Sequence, residues 1–195
     1  MATCSDIIKG AFRRAGVSRD LDEMRPREMD RGLQVLQDIY LGMVGSGLFG
    51  RMADVEIAAD YTAREQDRIL CDTNGDITIT LPKTIEDDSE EDGVRPPRDG
   101  AIIIVSDVYS ADFVVYVYDA TYAAWTAISQ LTLASFAPLS IRYRAGLEAR
   151  LAVRLAEENG VQVTAELRRQ EFQGMSALSH RFDGPSRPVE PISYF

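Results

Sequence analysis

Residues 26–45 read Pro26-Arg27-Glu28-Met29-Asp30-Arg31-Gly32-Leu33-Gln34-Val35-Leu36-Gln37-Asp38-Ile39-Tyr40-Leu41-Gly42-Met43-Val44-Gly45. Met29, Leu33, Leu36, Ile39, Tyr40 and Met43 recur at intervals of three or four, which places them on one face of an α-helix. Pro26 suits a first helical turn, where its missing N–H costs nothing. The apolar stripe lasts about five turns before Gly45 and Gly47 interrupt it. A helix this long with one apolar face must bury that face against other elements, so the stretch sets a helical expectation for the fold.

Working outward toward the N-terminus, Ser5 is placed to cap a shorter helix. Its apolar positions Ile7, Ile8, Ala11, Phe12 and Ala15 share one face, and Gly16 is a natural stop. Toward the C-terminus the period changes. Asp72-Thr73-Asn74-Gly75-Asp76 reads as a turn. Ile77, Ile79 and Leu81 then alternate with Thr78 and Thr80, which is strand period. Ala101–Val105 reads as a buried strand, and Phe113–Tyr118 as another that pairs with Tyr122–Ile128 across Asp119-Ala120-Thr121. Glu86–Arg98, rich in acid and proline, reads as a solvated loop.

Helical period returns after Pro138. Leu147, Leu151 and Leu155 step by four, while Ala145, Ala149, Ala152 and Ala156 offer a small-residue side for close helix approach. Asn159-Gly160 ends that helix. A last one runs from about Gln162 to Ser179 with Leu167, Phe172, Met175 and Leu178 inward. Gly184, Pro185, Pro188 and Pro191 make the C-terminal tail a poor helix former. The expected fold class is therefore mainly α: an antiparallel helical bundle core with an inserted small β-sheet region and an extended C-terminal tail. Residues 1–71 supply the N-terminal helices of the bundle and 72–136 a β-rich insertion with its acidic loop. Residues 137–180 supply the C-terminal helices, and 181–195 the tail.

The net charge of −10 over 195 residues argues against general nucleic-acid binding, because such a surface repels phosphates. Such a surface suits the wall of a passage that DNA traverses without being gripped. Cys4 and Cys71 form no CxxC pair and read as reduced thiols. The opening residues lack a basic n-region and a long apolar h-region, so no signal peptide is expected, and the longest apolar run is too short to span a membrane.

Several patterns resemble reactive motifs without meeting their requirements. Gly45-Ser46-Gly47-Leu48-Phe49-Gly50 spells GxGxxG, but a dinucleotide site needs that motif between a strand and a helix, and here a long helix precedes it. Asp88, Glu90, Asp92, Gly93 and Asp99 loosely echo a calcium loop, yet the closing bidentate Glu is missing and Pro96-Pro97 intrude. His180 is the only histidine, so a triad or zinc site would have to centre on it. No catalytic residue, cofactor or metal site is expected. Arg142, Arg144, Arg150, Arg154, Arg168 and Arg169 gather positive charge in the C-terminal helices. They fit intrahelical pairing, such as Glu148 with Arg144 or Glu166 with Arg169 or Gln170. They equally fit a basic face meeting an acidic face of a neighbouring subunit, with Arg150, Arg154, Arg168 and Arg169 opposite Glu86, Asp88 and Glu90.

Taken in order, Ser5-Asp6-Ile7-Ile8, Phe12-Arg13-Arg14-Ala15-Gly16, Gly32-Leu33, Leu36 and Ile39-Tyr40 resemble the N-terminal region of head–tail adaptors of tailed bacteriophages, the group that includes packaged-DNA stabilisation proteins. Ile79-Thr80-Leu81-Pro82, Arg95-Pro96-Pro97-Arg98-Asp99-Gly100, Ala137-Pro138-Leu139-Ser140, Gly146-Leu147, Leu151-Ala152 and Leu155-Ala156 continue the pattern. Gene transfer agents use similar proteins. The resemblance implies a non-enzymatic virion protein of the head–tail neck, assembled in the host cytoplasm. It implies a ring, usually of twelve copies, beneath the portal protein. Such a ring extends the DNA channel without specific DNA binding and docks the next neck or tail protein. It also implies that the tail reaches a neighbour or the portal through Arg181, Phe182, Pro185, Arg187, Pro188, Pro191, Ile192, Tyr194 and Phe195. Two other readings stand beside it: another neck or tail-completion protein with a β-rich core, and a cell-wall hydrolase.

Overall fold

The computed structural model describes residues 2–17, 24–46, 48, 52–71, 77–82, 97–107, 113–120 and 122–182, without the side chains of 140–142 and 179–182. The fold is α/β, which corrects the expected mainly α bundle. Helices α1 (Cys4–Ala15), α2 (Pro26–Gly45), α3 (Ser140–Glu158) and α4 (Ala165–Phe182) lie with a five-stranded mixed sheet. Its strands are β1 (Ala53–Ile57), β3 (Asp67–Cys71), β5 (Ile102–Asp107), β6 (Phe113–Asp119) and β7 (Ala124–Ala127), adjacent in that order. The first three run parallel, and β6 and β7 pair antiparallel. A separate two-stranded parallel ribbon joins β2 (Tyr61–Thr62) to β4 (Ile79–Thr80).

The sheet was underestimated for a physical reason. Strands β1 and β3 lie inside the segment assigned to N-terminal helices. Each is five residues long and mixes charged with apolar side chains: β1 alternates them, and β3 opens with Asp67-Arg68 before Ile69-Leu70-Cys71. Strand β3 sits between β1 and β5, pairing parallel with both: Ala53 stands opposite Asp67 on one side, and Arg68 opposite Ile104 and Ile69 opposite Val105 on the other. A parallel partner so distant along the chain leaves no local turn signal. The antiparallel β6–β7 pairing, whose connection is short, agrees with the expectation, with Tyr116 opposite Ala127 and Tyr118 opposite Trp125.

Local signals at the helix ends largely hold. Thr3, rather than Ser5, caps α1: its hydroxyl accepts from the Asp6 N–H at 3.2 Å, and the Asp6 carboxylate accepts from the Thr3 N–H at 2.9 Å. This is a reciprocal capping box, and Ser5 falls within the first turn. Gly16 closes α1 at φ 69°, a left-handed conformation natural to glycine. Pro26 is the first residue of α2. Asn159 caps α3, and Thr164 accepts from the Leu167 N–H at 3.2 Å to start α4. Arg181 and Phe182, expected in the tail, are the last two residues of α4.

Two apolar clusters organise the molecule. The larger joins all four helices to one face of the sheet, through Ile8, Leu36, Tyr40, Leu147, Leu151 and Leu155 with Ile102, Ile104, Val115 and Val117. The smaller lies on the opposite sheet face, where Ile69, Ile103 and Trp125 meet Tyr61, Ile79 and Leu81 of the ribbon region. Alternation along β5 sends Ile102 and Ile104 to the larger cluster and Ile103 to the smaller, while along β3 Ile69 and Cys71 enter the smaller cluster and Leu70 faces solvent. The helices are tied to the sheet region by main-chain bonds as well: Cys4 N–H donates to Ser135 O at 2.8 Å and Ser5 N–H to Leu133 O at 3.0 Å. At the end of β6, buried Asp119 accepts from the Leu139 N–H at 3.2 Å, just ahead of α3.

Within the helices, Leu147, Leu151 and Leu155 are fully buried as expected, as are Ala149, Ala152 and Ala156, but Ala145 is exposed. Phe172 corrects another expectation: it is 74% exposed. The inward position of that turn is held by Glu171, which is buried.

Candidate functional site: an ionic seam and a cleft among the helices

Two buried carboxylates organise the polar side of the helical layer. Glu148 on α3 accepts from Arg14 of α1 at 3.0 Å and from Arg144, one turn away on its own helix, at 2.6 Å. Gly10 of α1 makes room for it, since a Cβ there would stand 2.6 Å from the Glu148 carboxyl carbon. Glu171 on α4 accepts from Arg150 of α3 and, at 3.5 Å, from Arg168. Arg168 also bonds Glu157 at 2.5 Å, closing a link between α3 and α4. Arg31 of α2 grips Glu158 of α3 through two bonds of 3.0 and 2.9 Å, and that carboxylate raises the guanidinium's pKa. Arg169 and Gln170 both donate to Glu166, whose pKa falls, first through the Arg169 bond.

Of the four arginines singled out for contacts between subunits, Arg150, Arg168 and Arg169 therefore make ion pairs within their own chain. The i,i+4 pair of Arg144 with Glu148 and the Glu166 pairing with Arg169 and Gln170 occur as the spacing predicts. Arg154 differs: it is exposed on α3 and has no ion-pair partner among the described residues. Glu86, Asp88 and Glu90 lie outside the described residues, as do Pro185, Arg187, Pro188, Pro191, Ile192, Tyr194 and Phe195. The side chains of Arg181, Phe182 and His180 also lie outside them.

Arg154 borders a cleft of about 390 Å³ between α2, α3 and α4. Val35, Ile39 and Met43 of α2 and Met175 of α4 give it apolar walls, and Asp38, Arg150 and Glu158 line it alongside Arg154. Phe172 stands one turn before Met175 on α4, a spacing that brings two helical side chains together on the surface. Sequence spacing did not reveal the cleft. It needs three helices from opposite ends of the chain, whereas the Glu148–Arg144 half of the seam is local.

Both cysteines and Tyr40 are shielded from solvent. Cys4 is fully buried and its thiol is pushed up to about 11 by loss of solvation, which keeps it protonated at neutral pH. Burial likewise raises the Cys71 thiol. Tyr40 is buried, donates to Pro138 O at 2.6 Å, and is held well above the ordinary tyrosine value by the same loss of solvation. Among the described residues no group of three His, Cys, Asp or Glu side chains is placed to hold a metal ion, and no helix is long and apolar enough to cross a membrane. The GxGxxG stretch begins at the last residue of α2, so a helix precedes it where phosphate binding requires a strand, and among the described residues the next regular element is β1. No family model and no curated protein matches the chain.

Proposed function

We propose that this protein is a structural subunit of a tailed-phage or gene-transfer-agent neck, a head–tail adaptor that joins a ring beneath the portal protein, extends the DNA channel and docks the next neck or tail protein. The observation that carries the reading is Phe172, an aromatic side chain 74% exposed on α4, one helical turn before Met175 of the cleft wall. Exposed aromatics next to apolar pockets are the usual anchors of protein–protein contacts. The ordered packing and turn signatures of the chain add to it. The acidic balance suits a wall that lets DNA pass, since unpaired negative charge opposes phosphate binding. In this reading the exposed α4 face around Phe172 serves the neighbour or portal contact.

The experiment is the native mass of the full chain alone and mixed with the portal protein of the same particle. A discrete complex of several adaptor copies per portal ring, weakened by Phe172→Asp, is the expected result. A chain that stays free at micromolar concentrations of both proteins rejects the reading. The five-stranded sheet favours a second one, a neck or tail-completion subunit that binds tail components. It predicts complex formation with a tail protein and none with the portal.

A further inference from the structure

We infer that the α2–α3–α4 cleft is a receptor for the chain's own segment Arg187-Pro188-Val189-Glu190-Pro191-Ile192. The inference stands apart from the adaptor reading, because it uses only the chemistry of the cleft and of the segment.

The charges of the cleft are unevenly matched. Glu158 is held by Arg31 and Arg150 by Glu171. Arg154 has no such partner among the described residues. Asp38 lines the same cleft and makes no salt bridge among the described residues, though its charge acts on Arg31. A ligand suited to the cleft thus offers one carboxylate for Arg154, one cation for Asp38, and aliphatic groups for the walls made by Val35, Ile39, Met43 and Met175.

The segment 187–192 has this composition in short compass. Glu190 and Arg187 supply the two charges three residues apart, and Val189 and Ile192 supply the aliphatic groups. Pro188 and Pro191 restrict the backbone before binding, so less entropy is lost on docking. Reach is not limiting. Met175 stands about 10 Å along α4 from its end at Phe182, and residues 183–195 can extend over about 40 Å. Arg150, Arg168 and Arg169 compete poorly for Glu190, because each already faces a carboxylate.

The test is a photo-cross-link in the full chain. p-Benzoylphenylalanine is placed at position 194 in place of Tyr194, the protein is irradiated, and the cross-linked peptides are mapped by mass spectrometry. The expected cross-links fall on α2 between Val35 and Ser46, on α3 between Arg150 and Glu158, or around Met175. Arg154→Glu lowers their yield about fivefold or more, as loss of a facing charge pair does, and Arg154→Glu combined with Glu190→Arg restores it. Arg154 is exposed, and an unchanged thermal melt of each variant shows that the fold is retained. Cross-links elsewhere on the surface, their absence, or a yield indifferent to Arg154→Glu overturns the inference. Portal binding plays no part in the readout, so failure here is distinct from failure of the adaptor reading.

Discussion

Gly146 of α3 and Gly174 of α4 meet backbone to backbone: a Cβ built on Gly174 would lie 2.2 Å from the Gly146 Cα, and one built on Gly146 would lie 2.7 Å from the Gly174 Cα. The two helices cross at a point where neither can carry a side chain. The neighbouring pairs Arg150–Glu171 and Arg168–Glu157 are set by that crossing. Gly174→Ala is therefore expected to destabilise the protein by about 2–3 kcal/mol through forced separation of the helices. Gly42→Ala is the control. Gly42 is helical with nothing within 4 Å of its virtual Cβ, so alanine there is expected to stabilise by about 0.5–1 kcal/mol. Urea denaturation of both variants checks the opposite signs.

Glu148 is the hub of the seam. Glu148→Gln keeps its shape but removes the charge shared by Arg14 and Arg144, and a loss of about 1–2 kcal/mol is expected. Arg14→Met should cost less, because Arg144 still satisfies the carboxylate. Equal losses in the two variants, measured by chemical denaturation, would contradict the shared-acceptor geometry.

The α1 capping box links stability to pH. The Thr3 N–H and hydroxyl bonds hold the Asp6 carboxyl below its ordinary value, the N–H bond being the larger cause. A depressed folded-state pKa stabilises above the unfolded value, about 3.9, and that contribution is lost as pH falls through the folded value. Thr3→Ala is expected to cost about 1 kcal/mol near neutrality, with the difference from the parent shrinking below about pH 4. A penalty that stays constant down to pH 2.5 would show that Asp6 does not sense the cap.

Phe172 and Leu178 lie on the same helix and should respond oppositely to truncation. Leu178 is fully buried, and Leu178→Ala is expected to cost about 2–5 kcal/mol. Phe172→Ala is expected to change stability by less than about 0.5 kcal/mol, as an exposed site does. Thermal denaturation of both variants checks this placement of the α4 faces.

Cys4 provides a probe of global opening. Its raised thiol pKa and full burial predict that iodoacetamide at pH 8 modifies the native chain at least about a hundredfold more slowly than the unfolded chain. Alkylation timed by intact mass reads the opening rate of the cluster that joins α1, α2 and the sheet. Rapid native labelling of Cys4 would mean that this cluster opens locally.

The sequence by itself determined the four helices, the helix stops at Gly16 and Asn159, the β6–β7 pairing and the intrahelical ion pairs Arg144–Glu148 and Arg169–Glu166. Each depends on residues close together in the chain, where periodicity and turn chemistry act directly. The tertiary structure alone decided that β1 and β3 are strands, because β3 is fixed by pairing with the distant β5, and β1 by pairing with β3. It also decided that Phe172 faces out while Glu171 faces in. Hydrophobicity ranks those two the other way, but Arg150 and Arg168 are placed to satisfy the buried carboxylate. The Gly146–Gly174 crossing and the cleft beside Arg154 belong to the same class: both are set by how helices distant in sequence pack, which no local pattern encodes.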